Sequence, residues 1–327
     1  MSSSTTSLTT IQPAAHRGAS RGRLLGWLDA MPHPATVVEI AATHVAAARW
    51  GRGVTHLSAF AAEPLPEGAI VPSATQQNIL NPNAVRSAIH SVLSRVPTQG
   101  QDIALLVPDT VIRVFILPFE SFPRREDEAR PLLRWRLKKS LPFDAEEAVI
   151  SWMRQSGREG KIEIVAAVTR QKISREYESA VEAEGTFPGV VQSSTLATLP
   201  MLDPNMATLL ARMSGRNLTT VIVRGNTLCV YRSTELGTET DVLKPQAVFD
   251  EVFPALAFYQ DTWGGSVEQL RIAGFGAGEE SLRDMLGREI GCPAEPLATA
   301  GEFSAEARSL VAQGLESLVG WQLNRGA

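Results

Sequence analysis

The apolar residues of this chain recur with two periods, and the switches between them outline its elements. TVVEIAATHVAAARW opens β-branched at Thr36 and reads as a strand; the Gly51-Arg52-Gly53 turn and VTHLSAFAAEPL then complete a hairpin. Asn81-Pro82 starts a helix with Val85, Ile89, Val92 and Leu93 at helical spacing, and DIALLVP follows as a buried apolar run. The texture then changes. VIRVFILPF predicts a strand, EDEARPLLRWRLKKSL a charged helix, and AVISWMRQ and KIEIVAAV two strands about the SGREG turn, which together make an inserted β-α-β-β unit over residues 108–160. A helix over residues 176–184, the strand PGVVQS and the short helix STLATLPML close the first half near residue 203.

The second half repeats the opening plan. ATLLARMSG, LTTVIV and LCVYRST read as strands, the last two joined by the Arg224-Gly225-Asn226 turn. A helix through Val248, Val252, Leu256 and Tyr259 follows, with a kink expected at Pro254. QLRIAGFG, EESLRDMLGREIG and one closing helix over residues 304–323 finish the chain. That helix has Ser304 as its cap and an apolar face of Leu310, Val311, Leu315, Leu318 and Val319 expected to pack on the first half, with Gly314 and Gly320 allowing close approach. Two halves that each start with a hairpin and then alternate strand and helix predict a duplicated α/β unit with a ligand cleft between the copies. The expected division is a tail over residues 1–34, a first domain over 35–203, a second over 204–300 and a closing helix over 301–327.

Composition narrows the function classes. A chain of 327 residues has the length of about two domains. With 31 Lys plus Arg against 35 Asp plus Glu, its net charge of -4 gives no field that would gather nucleic acid. Cys229 and Cys292 lie far apart and form no CxxC pair, so the expectation is two buried thiols in a reducing compartment. The opening MSSSTTSLTT lacks a charged region followed by an apolar run, and no apolar stretch is long enough to span a bilayer, so a cytoplasmic protein that meets a membrane only through a partner is expected. The Ser/Thr-rich start, with Arg17, Arg21 and Arg23, reads as a flexible tail in which Leu24, Leu25, Trp27 and Leu28 form one short amphipathic turn. Its five histidines show no HExxH spacing, and GxSxG and GxxxxGK[ST] are absent.

Several stretches together resemble the PilM family of type IV pilus assembly proteins. LLVPDTVIRVFILPFESFPRREDEARPLLRWRLKKSLPFDAEEAVISW is similar to that family's Leu-Pro strand, amphipathic helix, Pro-Phe turn with acidic residues, and strand. AAVTRQKISREYESAVEAEGTFPGVVQSSTLATL and IAGFGAGEESLRDMLGREIGCPAEPL extend the likeness, which covers residues 36–325 as pattern and a few fixed dipeptides. The resemblance implies an α/β, actin-like, two-lobed fold of the FtsA and PilM type with an inserted 1C subdomain. It also implies a cytoplasmic scaffold that binds the N-terminal tail of a PilN-like bitopic inner-membrane protein, alongside other pilus assembly proteins or a further copy of itself. The cytoplasmic domain of the secretion protein GspL shares the fold, which keeps a type II secretion role open.

Actin-like ATPases grip ATP with two turns of the type Asp-x-Gly followed by small hydroxyl residues, because backbone N–H groups approach the phosphates and the Asp positions metal and water. The resemblance puts Glu39 through Ala46 at the first turn, with Glu39 for Asp, Ala41 for Gly, Thr43 as the hydroxyl and Ala46 where the family has Lys. At the second it puts Arg212-Met213-Ser214-Gly215, so a cation replaces a metal-side carboxylate. Ala273-Gly274-Phe275-Gly276-Ala277-Gly278 matches the adenosine-side loop better, although Glu279 breaks GxGxxG. The implied protein is a pseudo-ATPase with no required cofactor, whose vestigial nucleotide cleft comprises Glu39, Thr43, Arg212, Ser214, Gly215, Gly274 and Gly276; residual ATP with magnesium would be held through Ser214, Gly215, Gly274 and Gly276, with Arg212 contacting a phosphate. The charged helix suggests a partner surface. Arg134, Trp135 and Lys138, with the Leu141-Pro142-Phe143 turn, would edge a groove between subdomains 1A and 1C. Two other readings of the same fold stay open: an active ATPase or sugar-kinase-like enzyme, and an FtsA-like filament protein, although the terminal WQLNRGA lacks a basic amphipathic anchor.

Overall fold

The computed structural model describes residues 33–51, 57–98, 102–237, 244–297 and 304–325. Nearly all of the tail expected over residues 1–34, and the Gly51-Arg52-Gly53 turn beyond its first residue, lie outside them.

Three sheets organise these residues. In the first, β1 (Thr36–Ile40), β2 (His44–Trp50) and β3 (Leu57–Pro64) form an antiparallel meander, and β4 (Asp102–Val107) and β8 (Phe187–Ser193) add in parallel beside β1. The run expected as one strand from Thr36 to Trp50 is thus two. It folds back at Ala41–Ala42–Thr43, where the Ala41 N–H donates to the His44 carbonyl over 2.9 Å. Alanines continue the apolar run up to this turn and resume just beyond it, and no Gly or Pro punctuates it, so the pattern conceals the reversal.

The second sheet copies the first. Its meander is β9 (Ala207–Ser214), β10 (Asn217–Arg224) and β11 (Thr227–Glu235), with β12 (Gln269–Ala273) and β13 (Ala294–Pro296) parallel beside β9. The third sheet, β5 (Arg113–Phe119), β7 (Ile162–Arg170) and β6 (Ala148–Ser156), is antiparallel throughout. Because β7 runs to Arg170, this unit extends past the boundary expected at residue 160.

Helices cover the outer faces. α1 (Pro82–Arg95) begins as its sequence dictates: Asn81 Oδ1 accepts from the Ala84 N–H and Pro82 fills the first turn, where its missing N–H costs nothing. α3 (Gln171–Glu182) starts earlier than the helix expected over residues 176–184 and packs with α1 beneath the first sheet. Beneath the second sheet lie α5 (Pro245–Trp263) and α6 (Glu279–Ile290). Pro254 lies within a continuous α5 on its exposed side, and Gly264 ends that helix at φ +66°. α2 (Glu126–Leu137) covers the third sheet through Ala129, Leu133 and Leu137.

Between the two large sheets lie α4 (Ser194–Thr198) and, from the chain's end, α7 (Ala305–Ala312) and α8 (Glu316–Arg325). The single closing helix of the sequence reading is therefore a pair, broken at Gly314, whose φ of +77° no other residue adopts without strain. α8 packs against α4 and β1 of the first half. Gly320 makes that possible, because a Cβ there would stand 2.2 Å from the Ala197 carbonyl oxygen in α4. One apolar core joins both large sheets through Val37, Leu106, Leu210, Val221, Leu318 and Trp321. The third sheet is fastened to the second by Gln155, whose amide donates to the Leu228 carbonyl (2.8 Å) and accepts from the Leu228 N–H (3.1 Å).

Candidate functional site

Side-chain alternation decides what meets between the sheets. On β1, Val37 and Glu39 share the face turned to the common core, while Val38 and Ile40 face α1 and α3. On β9, Leu210 and Arg212 share the corresponding face, and on β10 Thr219 lines up with Val221 and Val223. Each of these strands therefore sends apolar side chains into the core and one polar residue into the crevice beyond the carboxyl ends of the parallel strands, where α/β sheets commonly place their sites.

Glu39 is 1% exposed, yet both of its oxygens are satisfied. Oε1 accepts from Ser194 Oγ and Oε2 from Ser317 Oγ, each over 2.6 Å. Arg212, 4% exposed, donates through Nε to Glu316 Oε1 (2.7 Å) and through an Nη to Thr195 Oγ1 (3.3 Å). Its other neighbours are Asp109 Oδ2 at 3.8 Å and Glu39 Oε1 at 3.9 Å. Asp109 accepts from the Thr195 N–H (3.0 Å), Thr195 Oγ1 (2.5 Å), Thr219 Oγ1 (2.8 Å) and the Tyr231 hydroxyl (3.3 Å). One guanidinium thus stands among three buried carboxylates drawn from β1, the turn after β4 and the start of α8.

The electrostatics follow from this geometry. Burial alone would raise the Glu39 pKa, but His44, the Arg212 charge and the Ser194 hydrogen bond outweigh it and hold the carboxyl at about 2. His44 Nε2 stands 3.7 Å from Glu39 Oε2. Burial works against the Arg212 cation, and the carboxylates of Glu316, Asp109 and Glu39 overcome it, so its pKa lies above the ordinary arginine value. Burial, with Asp109 beside it, pushes Tyr231 well above the normal phenol range and keeps it a neutral donor.

The glycine loop has a packing reason to be glycine. Gly274 sits at φ +85°, and a Cβ on it would lie 2.0 Å from the Met213 carbonyl oxygen, so the loop is pressed on the end of β9. Gly276, at φ +56°, faces open space, and Gly215, at φ +59°, belongs to the β9–β10 turn with Ser214. Thr43 is exposed on the β1–β2 turn, with Oγ1 3.1 Å from His44 Nδ1. Among the described residues no group of three or more His, Cys, Asp or Glu side chains is arranged to hold a metal ion.

The five residues expected at a partner groove lie on α2 and the segment that follows it. Phe143 packs into the core of the third unit, and Arg134 pairs with Glu146 over 3.2 Å. Trp135, Lys138 and Pro142 face solvent. A concavity of about 250 Å³ lies between α1 and α3, lined by Ile79, Val85, Arg86, Glu176, Ala180 and Ala183 among others. It adjoins the seam where Arg170 of the third sheet donates to the Thr75 carbonyl of the first lobe.

Sequence reasoning missed Asp109, Ser194, Thr195, Tyr231, Glu316 and Ser317. Asp109 and the Ser194-Thr195 pair each follow the carboxyl end of a parallel strand, a positional signal that could have found them. Glu316 and Ser317 carry no local signal, because the break at Gly314 delivers them to the crevice.

No family model and no curated protein matches the chain. Among solved structures, it superposes on one described as a PilM-PilN type IV pilus biogenesis complex with a TM-score of 0.71 and 19% identity, covering 90% of this chain and 99% of that one. Others are more distant: a Bacteroides thetaiotaomicron protein with an actin-like ATPase fold (TM-score 0.48, 10% identity, 87% of this chain and 96% of that one) and the cytoplasmic domain of EpsL, an inner membrane component of the Vibrio cholerae type II secretion system (0.46, 13%, 72% and 80%). The chain has the actin-like, two-lobed α/β fold.

Proposed function

We propose that this protein is a scaffold of a type IV pilus assembly complex that binds the cytoplasmic tail of a PilN-like bitopic inner-membrane protein and needs no nucleotide to do so. The observation that carries the reading is the likeness along almost the whole of a chain solved from a PilM-PilN complex, which is a likeness to an entire component rather than to a shared domain. It suits a protein whose described helices are none of them long and apolar enough to cross a membrane.

The crevice supports the same reading. Magnesium takes oxygen ligands that remain free for it and for water. Here both Glu39 oxygens accept buried hydroxyls, and Arg212 stands among the remaining carboxylates as the cation of the site. That donor set does not fit a magnesium–phosphate group, and the lobes are joined by side chains of the chain itself. We assign the tail peptide to the groove between α1 and α3, beside the seam with the third unit, where Ile79, Val85 and Ala180 offer an apolar floor and Arg86 and Glu176 charges of both signs.

The test is calorimetry of the full chain with the N-terminal tail peptide of a PilN-like bitopic protein. Binding is expected to be the same with and without Mg-ATP and to be lost in Ala183→Arg, which fills the groove from an exposed position. Absence of binding, or binding only with Mg-ATP, contradicts the reading.

A further inference from the structure

The third sheet is buried on both faces: Val165, with Val114, Ile116 and Met153, turns to the common core, and Ile150, Ile164 and Val168 turn to α2. α2 is therefore the outermost layer of the molecule on this side. Arg130 fastens it, lying 5.2 Å over the Trp152 ring and donating to the Ile150 carbonyl over 3.3 Å.

Its outer face carries Trp135, 73% exposed, whereas Trp50 and Trp321 are 2% and 1% exposed. Its exposed indole offers a large amphipathic ring, apolar in its body and polar at its N–H, to a second surface. The charge around it is equally uneven. Between Arg124 and Lys139 the sequence holds seven basic and three acidic residues, in a chain whose net charge is -4. The carboxylates at the start of the helix are occupied: Asp127 and Glu128 by Arg125, and Glu126 by Arg130. Arg134 meets Glu146. Arg136, Lys138 and Lys139 remain, all exposed and, among the described residues, without a carboxylate partner. An exposed Trp ringed by unpaired cations at a helix's end has the chemistry of a surface that meets lipid headgroups. The ring sits at the polar–apolar boundary, and long basic side chains keep their charge beside phosphates while their stems lie along the apolar layer.

We infer that the outer face of α2, through Trp135, Arg136, Lys138 and Lys139, docks directly on an anionic bilayer surface. This stands apart from the pilus reading and from the groove between α1 and α3.

The experiment is co-sedimentation of the full chain with vesicles of phosphatidylcholine alone and of phosphatidylcholine mixed with phosphatidylglycerol, compared with Lys138→Glu/Lys139→Glu and with Trp135→Ala. Each basic residue near such a surface is worth about fivefold in partitioning, so the charge reversal is expected to lower binding to the anionic vesicles by roughly tenfold or more. Trp135→Ala should weaken it less, raised salt should weaken it in the wild type, and circular dichroism should show all variants folded. Equal binding to neutral and anionic vesicles, or anionic binding that survives the charge reversal, would overturn the inference. So would loss of tail-peptide binding in these variants with vesicle binding intact, which would make the face a protein-docking surface.

Discussion

The two lobes repeat one topology and differ at one decisive position. In the first, Glu39 stands two residues before the turn that Ala41 and His44 close; in the second, Arg212 stands two residues before the turn that Ser214 and Asn217 close. Each pairs with the second strand of its own hairpin, and each faces the other lobe. Two carboxylates at these equivalent places would repel across the crevice and call for a cation between them. With a guanidinium in one of them, the cation is covalently part of the chain, and the lobes hold each other. The duplicated fold thus keeps its geometry in both lobes while placing a carboxylate at one equivalent position and a guanidinium at the other.

That comparison breaks most visibly at Arg212. Arg212→Ala leaves Glu39, Asp109 and Glu316 buried without their guanidinium and should lower stability by about 3–5 kcal/mol in urea denaturation. Gly274→Ala puts a Cβ into the Met213 carbonyl at a positive φ, and an effect on the order of 3 kcal/mol is expected by the same measurement. Gln155→Ala orphans both backbone groups of Leu228 and should cost about 1–3 kcal/mol while loosening the third sheet from the second lobe, seen as faster amide exchange at Leu228.

The effect confined to acid pH is the most specific. Glu39 titrates at about 2 in the folded chain against an ordinary 4.5, so between those values the unfolded chain takes up the proton first. Its stabilising contribution is complete above pH 4.5 and is lost as pH falls through about 2. In Glu39→Gln that part of the acid limb should flatten, by up to about 1.4 kcal/mol per pH unit where the slope is steepest.

The sequence carried the fold because its information is local. Asn81-Pro82, the Arg224-Gly225-Asn226 turn and the apolar runs of β4 and β9 each specify an element within a few residues, and the repetition of the plan gave the duplication. It failed where a local rule was silent or misleading: Ala41–Ala42 continued an apolar run through a reversal, and Gly314 broke an apolar face that reads as one helix. Glu39 and Arg212 stood out by departing from a pattern. Their partners did not, since Asp109, Thr195, Tyr231 and Glu316 reach the crevice from four distant segments and meet only when both lobes have formed.

The most direct test of the self-filled crevice is titration calorimetry of Mg-ATP into the full chain, followed by a phosphate-release assay on the same sample. The account predicts no saturable heat and no release. Magnesium-dependent hydrolysis by the wild-type chain that disappears in Glu39→Gln would contradict it.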